Sequence, residues 1–369
     1  MPRDLINDEE TLALVPKVHP KFKPVWDHRS PEEQIALARY FLPHRSSKAV
    51  LEPTRPRGIK WYCPFASQDE FPSGHRYCIN VYTGCAHGCI YCYAAGYQAD
   101  KADTKKDFER LIDKDMVDLE RFDVPAAPVH LSNSTDPLQP LEESFGHTRY
   151  ALEQILAHRN RFTTVVILTK NPLLAVQLGY ADLLNDLVRL PSDHPMHDKF
   201  DEQGLPAFII EVSVAFWQES ARSVYDPGAP PIKERIEGIR ALREAGIPVA
   251  WRIDPLFPRS LDDLGLTEAQ TLDDLENLVV LAKDVGANHV IYSPAKIVQP
   301  RRRKMNPTMK AMKAVYQALA APDKPVFRGG SWRLPGHVAD AEIIGPFLEI
   351  CERHGLPVKC CKGNLIGTP

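Results

Sequence analysis

The 369-residue sequence predicts an α/β fold, a partial (β/α)6 TIM-type barrel with an N-terminal extension and a C-terminal helix and tail. Two observations carry this. From about residue 78 onward, short β-branched or aromatic runs alternate with amphipathic helical stretches, as expected for parallel strands joined by crossover helices. Several of the runs are continuously apolar, which suits strands covered by helices on one side and facing a packed or occupied interior on the other.

The strand runs are Ile79 to Thr83, Val129 to Ser132, Thr164 to Thr169, Ala207 to Phe216, Val249 to Asp254 and His289 to Ser293. Between them, a helix over His147 to His158 follows a proline-rich turn. Another over Pro231 to Ala245 opens on proline and stops at Gly246, with Ile232, Ile236, Ile239 and Leu242 on one face. A third, Thr271 to Val285, buries Leu272, Leu275, Leu278, Val279 and Ala282 and stops at Gly286. A last helix, Ala339 to His354, precedes the tail Gly355 to Pro369. Prolines number 33, about 9% where about 5% is usual, and many fall in the first 75 residues. The expected organisation is a wrapping extension over residues 1–75, a core over 76–300 and a C-terminal extension over 301–369. Neither an internal repeat nor a low-complexity tract interrupts it.

With 45 basic and 48 acidic side chains the net charge is −3, which removes a global electrostatic drive toward nucleic acid and leaves room for a local basic patch. No apolar stretch approaches the ~18 residues of a membrane span. The opening Met-Pro-Arg-Asp-Leu-Ile-Asn-Asp-Glu-Glu has no apolar core behind a positive end, so a cytoplasmic location is expected. In that setting eight cysteines are expected as metal ligands, catalytic groups or reduced core thiols rather than disulfides.

Three of them, Cys85, Cys89 and Cys92, lie at C-x3-C-x2-C in the run Tyr82 to Ala94. Thiolates ligate iron–sulfur clusters, and a short loop brings three of them to three corners of a cubane, leaving one iron open. Zinc competes, but a structural zinc site usually takes four ligands, often as two C-x2-C pairs, and no second pair of that spacing is present. Three reduced core thiols grouped by chance are the remaining reading.

This motif, with Tyr91 just before the third cysteine, resembles the signature of the radical SAM superfamily over about residues 76–300. The resemblance implies a radical SAM core: a 4Fe-4S cluster on Cys85, Cys89 and Cys92, with S-adenosyl-L-methionine chelating the fourth iron. It further implies reductive cleavage to a 5′-deoxyadenosyl radical that abstracts hydrogen from substrate, and a one-electron reductant of flavodoxin or ferredoxin type. The protein's share of such chemistry is binding, orientation and exclusion of water.

The longer run to Tyr93, with Asn133-Ser134-Thr135-Asp136-Pro137, Leu168-Thr169-Lys170, Glu211-Val212-Ser213 and Ile236 to Pro248, is similar to the spore photoproduct lyase-like branch. That likeness implies lyase-type chemistry and DNA repair or other nucleic-acid modification; a peptide or small metabolite is the alternative substrate, and a non-catalytic metal-binding module the alternative class. It implies Tyr91 and Tyr93 flanking the cofactor, with Lys170, Ser213 and Ser132 at strand ends beside it. Lys170 would neutralise a carboxylate and Ser213 hydrogen-bond it. Asp254, with Arg252, is a further cofactor- or substrate-ordering candidate. The branch's namesake carries a hydrogen-donating cysteine just after the second strand, where this chain has Ser132, Asn133, Ser134 and Thr135. Their O–H and N–H bonds are stronger than S–H.

The adjacent pair Cys360-Cys361, flanked by Lys359 and Lys362, has an electropositive setting that favours thiolate. Folded over the barrel mouth, one of the pair would supply the hydrogen atom. An auxiliary metal site on Cys63, Cys78, Cys360 and Cys361, or plain structural thiols, are the other readings. Arg301, Arg302, Arg303 and Lys304 follow the last strand run and form a candidate phosphate contact or a solvated loop. Trp217 and Trp332, the latter near Arg328 and Arg333, are expected in the core more than on a stacking surface.

Overall fold

The computed structural model describes residues 27, 30–32, 34–35, 58–60, 77–97, 99, 101–121, 126–259, 268–300, 304–328, 330–361 and 365–366. Its frame is a nine-stranded sheet. The strands are β1 (Ile59–Lys60), β2 (Tyr77–Ile79), β3 (Ala127–Leu131), β4 (Phe162–Thr169), β5 (Phe208–Ser213), β6 (Val249–Leu256), β7 (Val290–Pro294), β11 (Val358–Cys360) and β12 (Leu365–Ile366). They lie in that order. β2 to β7 and β11 run parallel, and β1 and β12 close the two edges antiparallel. Among the described residues β1 and β12 do not pair with each other, so the barrel stays open.

Crossover helices alternate with the strands: α1 (Phe108–Arg121), α2 (His147–Ala157), α3 (Ala181–Val188), α4 (Ile232–Glu244), α5 (Leu272–Asp284), α6 (Pro307–Leu319) and α7 (Gly345–Arg353). α5 starts on a capping box in which Thr271 accepts from Asp274 N and Asp274 accepts from Thr271 N, so two of the helix's orphan donors are satisfied reciprocally. α6 starts on Asn306, whose side chain accepts from Thr308 N, with Pro307 next.

The two faces of the sheet differ chemically because side chains alternate along a strand. One face carries Val129, Leu131, Val165, Ile167, Ile210, Val212, Trp251 and Ile253 into one hydrophobic core with Leu152, Leu184, Leu242 and Leu278 from the helices. Burying each such aliphatic side chain contributes about 1.5–3 kcal/mol. The opposite face carries Cys78, aligned with His130, and Ser213, aligned with Arg252. The sequence alone anticipated a covered outside; the polar inside is what positions a site.

Several expected bounds shift. The first strand ends at Ile79, before the predicted Thr83. Val81 and Tyr82 are buried, but they pack from a loop, and Thr83 pairs instead with Asp103. The fourth strand ends at Ser213 rather than Phe216. The tail, expected as an extension, adds β11 as a further parallel strand beside β7. The last helix begins at Gly336 and passes through a π turn over Asp340–Ile344 before α7. A second, three-stranded antiparallel sheet, β8 (Ile297–Val298), β10 (Ser331–Arg333) and β9 (Val326–Arg328), follows β7. No helix among the described residues is long and apolar enough to cross a membrane.

Candidate functional site

At the C-terminal ends of the parallel strands lies a cavity open to solvent. Cys85, Cys89 and Cys92 all line it, and all three are free thiols. Their loop leaves the sheet after β2 and is fastened at intervals. Thr83 N donates to Asp103 O at 3.0 Å and Asp103 N to Thr83 O at 2.8 Å. Ala86 N donates to Gln139 Oε1 at 2.9 Å, and Ile90 N to Tyr225 O at 3.0 Å. Gly228 N donates to His87 O at 2.9 Å, and a side chain at Gly228 would meet Ala86 O at 2.5 Å.

His87 stands between the first two cysteines and is buried. Its Nε2 lies 3.0 Å from Asp136 Oδ2 and its Nδ1 3.2 Å from Gly228 O, so both ring nitrogens face acceptors. Asp136 also accepts from Thr169 Oγ1 at 2.7 Å and Lys170 N at 2.7 Å. Burial works to raise the Asp136 carboxyl, but His87 and these hydrogen bonds outweigh it and hold the group below its ordinary value. Without a metal, burial pushes the Cys85 thiol up to about 12 and the Cys89 thiol well above its ordinary value. Metal binding at these thiols therefore releases protons.

A second cluster forms the floor. Lys170 Nζ donates to Tyr91 Oη at 2.9 Å and to Ser213 Oγ at 2.8 Å, and sits 3.3 Å from Asp226 Oδ2. Tyr91 Oη donates to Asp226, and Arg235 Nη1 approaches the same carboxylate at 3.2 Å. Burial would raise Asp226, yet Lys170 and Arg235 drive it well below the carboxylate range. Arg235 Nη2 is buried with no partner among the described residues.

At the far end Arg252 bridges Glu211 and Asp254, and Ser293 Oγ donates to Asp254 Oδ1 at 2.7 Å. Arg252 Nη2 also lies 3.2 Å from Cys361 Sγ.

The structure thus brings Cys85, Cys89, Cys92, Tyr91, Tyr93, Lys170, Ser213 and Asp254 around one space. Ser132 is not part of that lining: it is fully buried, and its Oγ accepts from Val81 N at 3.5 Å. A left-handed φ of 62° at Ser132 turns the chain so that Asn133, Ser134 and Thr135 line the cavity instead. Neither tail cysteine is in the lining. Cys360 packs against the apolar core while Cys361 reaches Arg252, as alternation along β11 requires. Among the described residues the cation beside Cys361 is the strand residue Arg252, and Lys362 lies outside them. Cys78 meets the amides of Asn80 and Asn133. Cys63 and Arg301 to Arg303 lie outside the described residues, while Lys304 is exposed. Trp217, expected in the core, is 36% exposed because β5 has already ended. Among the described residues no three His, Cys, Asp or Glu side chains converge as a group able to hold a metal ion.

Sequence reasoning missed Asp226 and Arg235 and gave no role to His87. His87 and Asp136 sit inside motif runs, but Asp226 lies in an Asp-Pro-Gly turn, whose local signal is only that of a turn.

No family model matches the chain. It is 25% identical over 229 residues to an uncharacterised protein of Acidianus two-tailed virus, covering 58% of this chain and 64% of that protein. It is 26% identical over 191 residues to an uncharacterised protein of Methanocaldococcus jannaschii, covering 51% and 63%. The match thus spans less than two thirds of either relative's own length. Among solved structures, a spore photoproduct lyase mutant aligns at TM-score 0.49 and 12% identity over 78% of this chain and 76% of that one. The radical S-adenosylmethionine methyltransferase TsrM from Kitasatospora setae aligns at TM-score 0.42 and 15% identity over 69% and 41%. Streptococcus suis SuiB bound to its precursor peptide aligns at TM-score 0.40 and 11% identity over 92% and 65%. What the site itself establishes is narrower and firmer: three thiols, a partly buried ammonium with a serine hydroxyl, and a braced arginine face one cavity at the top of an open parallel barrel.

Proposed function

We propose that this protein is a radical SAM enzyme of the spore photoproduct lyase-like type, with Cys85, Cys89 and Cys92 holding a 4Fe-4S cluster and S-adenosyl-L-methionine occupying the cavity beside it. The observation that carries the reading is that the three thiols of the C-x3-C-x2-C loop share one cavity with Lys170 and Ser213. The donor set fits the group: a cubane takes each thiolate on a different iron, so it asks for spaced thiols rather than one converged set. A partly buried ammonium bonded to a hydroxyl, at 2.8 Å, suits an amino-acid carboxylate.

When bound and reduced, the cluster supplies the electron that cleaves the sulfonium to a 5′-deoxyadenosyl radical. The chain's own residues bind, orient and exclude water. Lys170 meets the carboxylate of the cofactor, Ser213 hydrogen-bonds it, and the Tyr91 and Tyr93 rings close the space on the loop side. Asp254, braced by Arg252 and Ser293, orders the end away from the thiols. Cys361, against Arg252, is the tail thiol we assign as hydrogen-atom donor; Cys360 packs elsewhere.

Residues 76–300 supply most of the core of this enzyme, and β1 and β11 add strands to its sheet from outside that range. A cytoplasmic setting with a flavodoxin- or ferredoxin-type donor suits its need for an electron. We favour nucleic acid as substrate, approached over the small sheet beside the mouth. Val298 of that sheet lies 3.5 Å from where a side chain would stand on Gly96, in the turn after Cys92. The sheet pairs Phe327 with Trp332 at 4.8 Å, puts Lys313 Nζ 3.6 Å over Trp332 and exposes Phe327, a surface suited to stacking bases beside phosphates.

The test is anaerobic reconstitution. Iron and sulfide are counted on wild type and on a Cys85, Cys89, Cys92→Ala variant, and 5′-deoxyadenosine is measured after reduction with S-adenosyl-L-methionine. About four irons lost together in the variant, and nucleoside formed only by wild type, support the reading. A colourless protein holding zinc in the loop overturns it.

A further inference from the structure

The cavity floor carries a charge arrangement that the cysteine spacing does not dictate. Asp226 is fully buried on the turn after Glu219–Tyr225. Its carboxylate takes the Tyr91 hydroxyl on one oxygen. The other oxygen lies 3.2 Å from Arg235 Nη1 and 3.3 Å from Lys170 Nζ. The thiol loop is tied to the same turn beside Cys89, where Ile90 N donates to Tyr225 O at 3.0 Å. One group therefore holds a proposed cofactor-flanking ring and the proposed carboxylate partner at once, next to a proposed iron ligand.

The geometry is specific. The three hydrogens of the Lys170 ammonium have three acceptors in reach: Tyr91 Oη at 2.9 Å, Ser213 Oγ at 2.8 Å and Asp226 at 3.3 Å. Asp226 anchors the ammonium from one side and the tyrosine from another, so an incoming carboxylate takes the place of one of these acceptors on a Lys170 already held in position. Two cations, Lys170 and Arg235, face one carboxylate in a space with little water to screen them. Lys170, Arg235 and Asp226 together carry one net positive charge, behind the loop that holds Cys89.

We infer, resting on the cluster reading above, that Asp226 is a positioning residue that fixes Lys170 and Tyr91 and whose charge, balanced by Arg235, sets the reduction potential of a cluster held on Cys89. Cluster potentials follow net charge and hydrogen bonds to the sulfurs. Removing the negative charge stabilises the reduced, more negative cluster, and removing a positive charge does the reverse.

The experiment is an anaerobic redox titration of the cluster signal by electron paramagnetic resonance in wild type, Asp226→Asn, Arg235→Gln and Tyr91→Phe. Asp226→Asn is expected to raise the potential and Arg235→Gln to lower it, each by at least a tenfold change in the reduction equilibrium, about 59 mV for one electron. Tyr91→Phe removes a hydrogen bond without changing charge and moves it less than either. Structural damage has no reason to produce opposite signs. Shifts of the same sign, or none, overturn the inference while leaving the cluster reading intact. If Asp226→Asn does not load, Arg235→Gln decides alone, and an unmoved potential there overturns the inference. Wild type that takes up no cluster overturns the proposed function and this inference together.

Discussion

Gly84 and Gly88 bracket Cys85 in the same loop, and both have left-handed backbone, with φ of 68° and 60°. Replacing either by alanine therefore incurs the same local cost, about 1–2 kcal/mol for an L-residue in that conformation. Their surroundings differ. A Cβ on Gly84 would lie 2.1 Å from Lys101 O and 2.7 Å from Lys101 C, whereas one on Gly88 meets nothing within 4 Å. Backbone cannot rotate away as a side chain tip can, so Gly84→Ala adds an overpacking cost of about 1–3 kcal/mol. The totals are about 2–5 kcal/mol for Gly84→Ala and about 1–2 kcal/mol for Gly88→Ala, against the ~5–15 kcal/mol that separates a typical folded state from the unfolded one. The displaced segment is the one tied by the Thr83–Asp103 pair, directly before the first thiol. Urea unfolding of the two variants under nitrogen, with iron counted after reconstitution, tests this. Gly84→Ala is expected to have the lower midpoint and to lose iron, while Gly88→Ala keeps most of it. Equal midpoints would show that the Lys101 contact does not hold the loop.

Four further outcomes are expected. In Glu142→Gln, the buried carboxylate that accepts from Tyr82, Tyr180, Thr148 N and Arg149 N becomes an amide with one side unable to accept; the urea midpoint falls by the equivalent of about 1–3 kcal/mol, and an unchanged midpoint refutes the network's role. Burial, with the nearby Lys359 charge, holds the His289 imidazole down at about 4, from an ordinary 6.5. The unfolded chain therefore takes up this proton first, and the folded state loses up to about 3 kcal/mol as pH falls from 6.5 toward 4 and nothing more below that. His289→Gln should flatten stability across that window, and an unaltered slope contradicts the assignment. Lys170→Met should weaken S-adenosyl-L-methionine binding to the loaded protein by about 10- to 150-fold, the worth of a charged hydrogen bond, with equilibrium dialysis as the measurement and an unchanged Kd as the refutation. Cys361→Ala should leave 5′-deoxyadenosine formation in place but suppress substrate product, whereas Cys360→Ala should leave both in place; the reverse pattern removes Cys361 from its assigned role.

The barrel was legible because its strands declare themselves locally. Phe162–Thr169 and Val249–Leu256 are long stretches rich in β-branched and aromatic residues, and the helix stops at Gly246 and Gly286 fall just before the fifth and sixth strand runs. What was misread depends on partners distant in sequence. Val81 and Tyr82 look like strand residues and are buried like them, but their neighbours are a loop and helix rather than a ladder. Val358–Cys360 carries no strand signal of its own, and its pairing with β7 makes it one. Ser132 has the right chemistry and the wrong direction, because one left-handed residue hands the cavity to Asn133. Asp226 and Arg235 were invisible because a turn aspartate and a helix arginine acquire meaning only when folding brings them 3.2 Å apart beside Cys89.

The two ends of the cavity are built on different principles, and this decides how each fails. Glu211, Arg252, Asp254 and Ser293 stand on three adjacent strands, and Arg252 is fixed by register beside Ser213 and Ile291. Their arrangement follows from the sheet itself, which the apolar outer face stabilises. The thiol end has no ladder. It is a loop whose shape is set by cross-links contributed from residues 103, 136, 139, 226 and 228. A substitution that weakens one cross-link therefore costs the fold little and the thiol geometry much, since bound groups respond to sub-ångström displacement of their ligands. Variants at the far end should instead lose stability and ligand geometry together. Iron content and urea midpoint are thus expected to separate for variants that remove a cross-link without a backbone clash, such as Gln139→Met, and to fall together for Arg252→Met; the opposite pattern would mean that the thiol loop, and not the sheet, is the rigid part of the site.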